Sequence, residues 1–393
     1  MVTPSKRLLL LTHNYPRRQG DYAGVFLQSL VQSFATRGIE TLVIAPHAAQ
    51  TERREQHEGI AIRRFRYGPD GFETLAYTGG MHKLAASPLG LFKFCCYLCC
   101  NFWSALFARF RFRPTLISAQ WIAPSGLVGW LVSILTGKPL YVTSHGTDIV
   151  LLQKSGLLRR LAKWVYGRAK KVFVVSSFLK QQILEVGVVT TPEKVQVLPM
   201  PARVDVFKPR EVEQPEVPLI LSVARFTEQK QLTVLFEALA GLAQDGLQFH
   251  CQVYGEGALE AEHKRQLADL NLFDHVDLKP PVAQEELAAL YAKATVAVLP
   301  SINEGFGLTL VEAQLCGTAV VGARSGGITD IIEHEKTGLL FEPGNAAELA
   351  GCLKRVLADS AASERLAKQG REAALRRFSP DAIAKRYLEE LGL

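Results

Sequence analysis

The chain has 393 residues, of which 48% are hydrophobic and 21% charged, and its formal net charge is +7. This length exceeds the roughly 250–300 residues at which a single hydrophobic core stops growing, so two domains are expected. Seven cysteines, an odd number in a long chain, argue against a disulfide-stabilised fold and favour reduced thiols.

The amino-terminal stretch holds only four consecutive leucines before polar residues return. This apolar region is too short for a secretion signal, so we expect a cytoplasmic protein.

Charge is distributed unevenly along the chain. Residues 1–205 carry 26 Lys and Arg against 11 Asp and Glu, whereas residues 206–393 carry 19 against 27. A basic first half suggests an anionic partner, such as a phosphorylated substrate or a membrane surface, although the imbalance can also serve solubility alone. Nucleic acid is not expected, because no aromatic–basic motif of a known binding module is present.

Short apolar runs alternate with longer segments of helical periodicity. RLLLLT, TLVIAP, TLISA, PLYVTS and KVFVVS come before a proline-rich and acidic stretch at residues 209–218, and LILSVAR, FHCQVYG, VAVLPS and TAVVGA follow it. This alternation predicts an α/β protein with two Rossmann-like, doubly wound domains that face a central cleft. We expect domains at 1–205 and 206–377, and a closing helix at 378–393 that packs back on the first domain.

The segment 89–108 is apolar over about twenty residues but contains Lys93 and Asn101. A helix buried in the core is the preferred interpretation. A helix lying against a bilayer is the main alternative, which the basic residues of the helix GLLRRLAKWVYGRAKK favour modestly. A membrane span would divide the first sheet and is disfavoured, as is a metal site at Cys96 and Cys99, which have no matching second pair.

The stretch NEGFGLTLVEAQLCG contains two acids, Glu304 and Glu312. It predicts a loop after a buried strand, then a helix that ends at Gly317. The two carboxyl groups would lie roughly 8–12 Å apart, too far for the acid and nucleophile of a retaining hydrolase. The spacing suits two contacts on one elongated ligand, with the helix amino terminus between them suited to a diphosphate. A capped helix with ordinary surface acids explains the spacing equally well.

Three further loops bring polar residues to strand ends. SVARFTEQK contains Arg225 and Lys230, two cations that could hold a diphosphate. TSHGTD contains His145, and NYPRRQGDYAGVF contains Gly20 and Gly24 before a helix, which is a weak phosphate-loop signal.

Taken together, these motifs resemble glycosyltransferase family 4, the retaining nucleotide-sugar transferases of GT-B architecture. The resemblance covers nearly the whole chain and is most specific in the Glu304–Glu312 block and the Arg225–Lys230 pair. It implies that Glu304 holds the donor sugar, Glu312 the ribose, and Arg225 and Lys230 the diphosphate.

The same resemblance implies that backbone amides of Phe306, Gly307, Leu308 and Thr309 complete the phosphate site, that Gly24 belongs to the donor site, and that His145 contacts the sugar near the reacting carbon. One departure is KPPV at residues 279–282, where the family usually has a glycine beside the nucleobase. The resemblance therefore does not predict which nucleobase the donor carries.

The expected activity is transfer of a hexosyl group, with retention, from a nucleoside diphosphate sugar to an acceptor saccharide. A lipid-linked acceptor in surface polysaccharide biosynthesis is favoured, at the inner membrane face. No cofactor is expected beyond the donor, and no metal, because the chain has no Asp-x-Asp motif. The alternative is a nucleotide-sugar 2-epimerase of the same architecture, and a dehydrogenase is disfavoured because Gly255 and Gly257 lack the third glycine of that motif.

Overall fold

A computed structural model describes residues 6–18, 21, 23–57, 60–77, 81 and 87–393. The described chain divides into two compact units. The first comprises described residues up to Val175, together with Leu179–Pro201 and Ile383–Leu393, and the second comprises Ser176–Phe178 and Ala202–Ala382.

The first unit contains a sheet of mainly parallel strands, in the order β3-β4-β2-β1-β5-β6-β7-β8. Among the strands of this sheet that the structure describes, only β3 runs antiparallel, against β4. The strands are β1 (Arg7–Leu11), β2 (Glu40–Pro46), β3 (Arg54–His57), β4 (Ile60–Phe65), β5 (Leu116–Gln120), β6 (Leu140–Ser144), β7 (Lys171–Val174) and β8 (Val195–Val197).

The helices between these strands are α1 (Val25–Ala35), α2 (Pro88–Arg111), α3 (Leu127–Thr136), α4 (Thr147–Lys154), α5 (Gly156–Arg168) and α6 (Ser177–Glu185). The central strands are buried along nearly their whole length, as expected for a parallel sheet covered by helices.

The second unit contains a fully parallel sheet in the order β11-β10-β9-β12-β13-β14. Its strands are β9 (Leu219–Val223), β10 (His250–Tyr254), β11 (Val276–Lys279), β12 (Val296–Leu299), β13 (Ala319–Ala323) and β14 (Leu339–Phe341). Its helices are α7 (Leu232–Gln244), α8 (Glu260–Asp269), α9 (Gln284–Lys293), α10 (Leu308–Cys316), α11 (Ala346–Ala358) and α12 (Ser360–Phe378). The predicted fold class, with two Rossmann-like domains, is confirmed.

All nine apolar runs that predicted strands form strands, but the charged β3 and β4 carry no such signal. Strand β4 contains Arg64, whose side chain is fully buried. Its guanidinium pairs with Glu55 of β3 and donates to the Pro16 carbonyl at 2.6 Å. Composition concealed β4 because the Glu55 carboxylate neutralises the one arginine that this strand buries completely.

The carboxyl-terminal helix α13 (Pro380–Leu391) buries Ile383, Tyr387 and Leu391 in the core of the first unit. The Tyr387 ring lies 4.8 Å from that of Phe173, and its hydroxyl bonds to Thr143. The last residues of the chain are therefore part of the first sheet's cover.

Helix α2 differs from the preferred expectation of a helix buried in the core. Only Gly90, Tyr97, Asn101, Ala105 and Ala108 are buried, and they form one narrow stripe against the sheet. Much of the rest of the helix, including several aromatic residues, is exposed. Apolar composition indicated burial, but only one side of this helix has a protein neighbour. This is the single helix among the described residues that is long and apolar enough to span a membrane.

Candidate functional site

Two neighbouring strands of the second unit, β9 and β12, bring their following loops together at one sheet edge. The amide of Ile302 donates to the Gln229 carbonyl at 2.9 Å, and the Gln229 side chain donates to the Asn303 carbonyl at 3.0 Å. These bonds join the SVARFTEQK loop to the NEGFG loop, although 74 residues separate them in sequence.

The two loops carry an ion pair between Lys230 and Glu304, with Nζ 2.5 Å from Oε2. Both side chains are largely sheltered from solvent. Arg225 lies on the same loop as Lys230 and is exposed, and no protein partner for its guanidinium occurs within the described part of the chain. Lys230 is therefore paired with a carboxylate, whereas the Arg225 guanidinium is available to bind an anion.

Helix α10 begins directly after the NEGFG loop, at Gly307. This residue has φ of 102°, a conformation that glycine adopts readily. Phe306 is buried and its ring packs edge-on against Phe378, which anchors the turn. The helix starts with Leu308 and Thr309, and its amino terminus offers amide donors and about half a positive charge. It ends at Gly317, as predicted.

Glu312 lies within α10 and is only 6% exposed. Burial raises the pKa of its carboxyl group from 4.5 to about 8. No hydrogen bond or cation compensates this carboxyl group among the residues that the structure describes, so its ionised form is costly. A buried acid without a partner is typical of a group that a ligand satisfies.

Glycines keep these loops in position, a role that the sequence patterns alone did not reveal. A Cβ on Gly255 would lie 1.9 Å from the Ala224 carbonyl oxygen, beside Arg225. A Cβ on Gly326, whose φ is 59°, would lie 2.3 Å from the Glu304 carbonyl oxygen. The Gly327 amide also donates to that oxygen at 2.7 Å. The sequences GEG (residues 255–257) and SGG (residues 325–327) therefore pack against the Arg225 and Glu304 loops and hold them in position.

In the first unit, His145 follows strand β6 and is half-buried. Its Nε2 lies 2.9 Å from Gln120 Oε1, and Nδ1, which is shielded from solvent, has no partner among the described residues. Desolvation of the ring, with a smaller contribution from nearby His13, lowers the pKa of His145 to about 3. The imidazole is neutral above that pH, and because Gln120 Oε1 can only accept, Nε2 carries the proton and Nδ1 is left as an acceptor.

An aromatic cluster that no sequence motif indicated surrounds His145. The Trp121 ring lies 4.2 Å from His145 and 4.3 Å from His13, and Phe26 lies 5.1 Å from His145. Desolvation lowers the pKa of His13 to about 4. His13 follows the apolar run of β1 by two residues, and this position at a strand end is the signal that could have identified it.

Gly24 precedes α1 with φ of 70°, and a Cβ there would lie 2.4 Å from the Asn14 carbonyl oxygen. Helix α1 thus begins on a glycine, as α10 does, and its Phe26 reaches the His145 cluster. Gly20 lies outside the described residues.

One group of metal-ligand type occurs among the described residues, formed by His47, Asp70 and Glu73. His47 Nδ1 lies 2.6 Å from Glu73 Oε2, and Asp70 pairs with Arg66 at 2.5 Å. The other Glu73 oxygen accepts from the Tyr67 amide at 2.7 Å. Protein contacts therefore account for this cluster.

The residues predicted for a donor site thus fall into two sets. Arg225, Lys230, Glu304, the Phe306–Thr309 turn and Glu312 belong to the loops and helix at one edge of the second sheet, and Gly24 and His145 lie near Phe26 in the first unit. Two family models match these same parts of the chain: "Glycosyl transferases group 1" matches residues 204–373, and "Glycosyl transferase 4-like domain" matches residues 23–201. The chain belongs to the GT-B glycosyltransferases of the family 4 type.

Relatives and solved structures agree with this assignment. The chain is 27% identical to a D-inositol 3-phosphate glycosyltransferase of Pseudarthrobacter chlorophenolicus, over 94% of this chain and 90% of that one. It is 32% identical to the amylovoran biosynthesis glycosyltransferase AmsK of Erwinia amylovora, over 57% of this chain and 56% of that one. These comparisons give no support to the epimerase alternative.

The fold of this glycosyltransferase resembles that of sucrose-phosphate synthase from Thermosynechococcus elongatus, with a TM-score of 0.79, 23% identity and 98% of each chain covered. It also resembles Anabaena HepE in complex with UDP and glucose, with a TM-score of 0.73, 20% identity, and 98% of this chain and 99% of that one covered.

Proposed function

We propose that this glycosyltransferase moves a hexosyl group, with retention of anomeric configuration, from a nucleoside diphosphate sugar to an acceptor hydroxyl. The observation that carries the proposal is the set of complementary groups at one edge of the second sheet. These groups are the Arg225 guanidinium, a Lys–Glu pair, a helix amino terminus and the buried Glu312 carboxyl group, and they match the diphosphate, sugar and ribose of such a donor. Neither the guanidinium nor the Glu312 carboxyl group has a partner in the described part of the chain.

Each group has a role in this proposal. Arg225 and Lys230 bind the diphosphate together with the amides of Phe306–Thr309, and Glu304 accepts hydrogen bonds from the sugar. Glu312 accepts from the ribose hydroxyls, which relieves its uncompensated burial. His145, neutral at working pH, accepts a hydrogen bond from a sugar hydroxyl through Nδ1.

The proposed reaction takes place on one face of the sugar. The acceptor oxygen forms a bond to the anomeric carbon as the bond from that carbon to the phosphate oxygen breaks, and the departing phosphate takes the acceptor proton. Arg225, Lys230 and the α10 amino terminus stabilise the charge that develops on the leaving group. Because these protein cations balance the charge of the leaving diphosphate in this proposal, the reaction needs no metal.

Retention is tested by proton NMR of the first product formed from a donor of known configuration. An inverted anomeric signal would contradict the same-face mechanism. Full activity after treatment with EDTA is the expected result for metal independence, and restoration of lost activity by added Mg²⁺ or Mn²⁺ would contradict it.

The proposed acceptor is a lipid-linked saccharide used in surface polysaccharide biosynthesis. The basic first half of the chain supports it, as does the similarity to a relative named for amylovoran biosynthesis. A panel of nucleotide sugars, screened for protection against thermal unfolding, would identify the donor. Consumption of that donor without any acceptor, with release of a free nucleoside diphosphate and an unsaturated or epimerised sugar, would instead indicate an epimerase.

A further inference from the structure

Helix α2 exposes a row of large apolar side chains. Leu89, Leu91, Phe92, Trp103, Phe107 and Phe110 are each 52–66% exposed. The Trp103 and Phe107 rings stack at 5.6 Å on this outer side. Exposed apolar clusters of this extent mark interaction surfaces on soluble proteins.

Two neighbouring helices of the first unit extend the apolar surface. Helix α3 contacts α2 and α5, and it exposes Leu131, Ile134 and Leu135. Helix α5 exposes Leu157 and Trp164, and the Trp164 ring stacks on Trp130 of α3 at 6.0 Å. We call the exposed apolar residues of α2, α3 and α5 the apolar face.

Basic side chains accompany the apolar face. Residues 87–171, which contain all three helices, hold 12 Lys and Arg and a single acid, Asp148. Asp148 is buried and accepts from the Gly146 and Ile149 amides, so it presents no negative charge to a partner. Arg109, Arg111 and Arg113 are exposed at the end of α2.

We propose that the apolar face binds the surface of a bilayer containing anionic lipid, with α2 lying in the plane of the interface. This inference goes beyond the proposed reaction. Aromatic and aliphatic side chains would enter the boundary of the acyl chains while the arginines meet lipid phosphates. A second copy of the chain is disfavoured as the occupant, because it would bring two basic faces together.

Insertion of α2 across the membrane is also disfavoured. Its buried stripe, which includes Tyr97, Asn101 and Ala105, packs on strands of the first sheet. Spanning the bilayer would remove the helix from this sheet and place Lys93 and Asn101 in hydrocarbon.

The test is co-sedimentation of the full chain, without donor or acceptor, with vesicles of phosphatidylcholine alone or mixed with phosphatidylglycerol. We expect binding to the mixed vesicles that weakens as salt is raised. Fluorescence from Trp103 should shift to the blue and be quenched by brominated lipid, and a Trp103→Phe variant should lose that quenched component.

Two sets of variants separate the apolar and electrostatic contributions. Trp103→Ser with Phe107→Ser should lower the vesicle partition coefficient roughly a hundredfold. Changing Arg109, Arg111 and Arg113 to Gln should lower it about fivefold for each cation. The matched controls are Phe273→Ser and Arg265→Gln, two exposed residues of the second unit whose loss should leave binding unchanged.

Absence of binding to mixed vesicles would overturn the proposal. Control variants that lose as much vesicle binding as the variants of the apolar face and its arginines would also overturn it. A dimer that dissociates in the Trp103–Phe107 variant, with no vesicle binding by the wild type, would identify a second copy as the occupant instead. Circular dichroism and thermal unfolding confirm that each variant is folded. Because vesicle binding is measured without donor, failure of the proposed reaction would not affect this result.

Discussion

Replacing Glu312 with glutamine should stabilise the unliganded protein while weakening nucleotide binding. The carboxyl group is buried with no compensating partner among the described residues, and burial raises its pKa to about 8. Glutamine has nearly the same shape but no charge, so the change removes the cost of ionising this position. It also removes the carboxyl group that the proposed function assigns to the ribose.

The expected size of the effect follows from the pKa. Because the folded-state pKa lies above the unfolded value of 4.5, the folded state binds more protons between pH 4.5 and 8, and stability falls as the pH rises through this window. Each unit of pKa difference corresponds to about 1.4 kcal/mol. Wild type should lose about 3–4 kcal/mol relative to the Glu312→Gln variant between pH 5 and pH 8.

The assay compares thermal unfolding of the two proteins from pH 5 to pH 9. The difference in Tm between them should widen by roughly 10 °C between pH 5 and pH 8. Glu372→Gln, which removes an exposed carboxylate from α12 of the same unit, should differ from wild type by about 0.5 kcal/mol or less throughout. Added nucleoside diphosphate should protect the Glu312→Gln variant less, with an affinity about tenfold to a hundredfold lower.

A constant Tm difference across this pH range would refute the reasoning, because it would mean that Glu312 titrates at an ordinary pKa. Unchanged nucleotide affinity in the variant would separately refute the ribose role. The two measurements are independent, so a burial effect can be confirmed while the ligand assignment fails.

The remaining predictions concern the neighbouring loops and His145. Arg225→Met should lower kcat/KM about a hundredfold or more with the Tm unchanged, since the guanidinium has no partner within the described chain; normal turnover in this variant would contradict its role. Lys230→Met should destabilise the protein more than the double variant Lys230→Met with Glu304→Gln, because the single change leaves a sheltered carboxylate unpaired. A double-mutant cycle of Tm and unfolding free energies measures the interaction energy of the pair, and additive effects of the two changes would argue against the ion pair. Gly255→Ala should lower both the Tm and the nucleotide affinity, although residue 255 has no proposed ligand contact. The control Gly241→Ala lies within α7, where a Cβ has open space, and should raise the Tm slightly. The pH profile of kcat should show no inflection from His145 above about pH 4, because its pKa is about 3; loss of a pH 6–7 inflection in a His145→Asn variant would contradict this.

Much of the candidate site could be predicted from the sequence, because its residues directly follow apolar strands. Parallel strands deliver their carboxyl ends to one edge, so the loops after β9 and β12 could be expected to meet once the strands were recognised. The Lys230–Glu304 pair could not be read from the sequence, since it depends on the register of two loops far apart in the chain. Trp121 could not be identified for the same reason, because it becomes part of a cluster only around His145. His13 lies at the end of a strand, and only the folded chain brings it close to Trp121.

The order of apolar strands and helical segments determined by itself that this chain forms two α/β sheets of mainly parallel strands, because periodicity and burial are local properties of a segment. Tertiary structure alone decided the environment of each side chain. It made Gly255 obligatory by bringing the Ala224 carbonyl against it. It raised the pKa of Glu312 by removing water without supplying a partner from the part of the chain that the structure describes. It also left one side of α2 exposed. Apolar composition indicates which residues avoid water, but it does not indicate whether another part of the protein covers them.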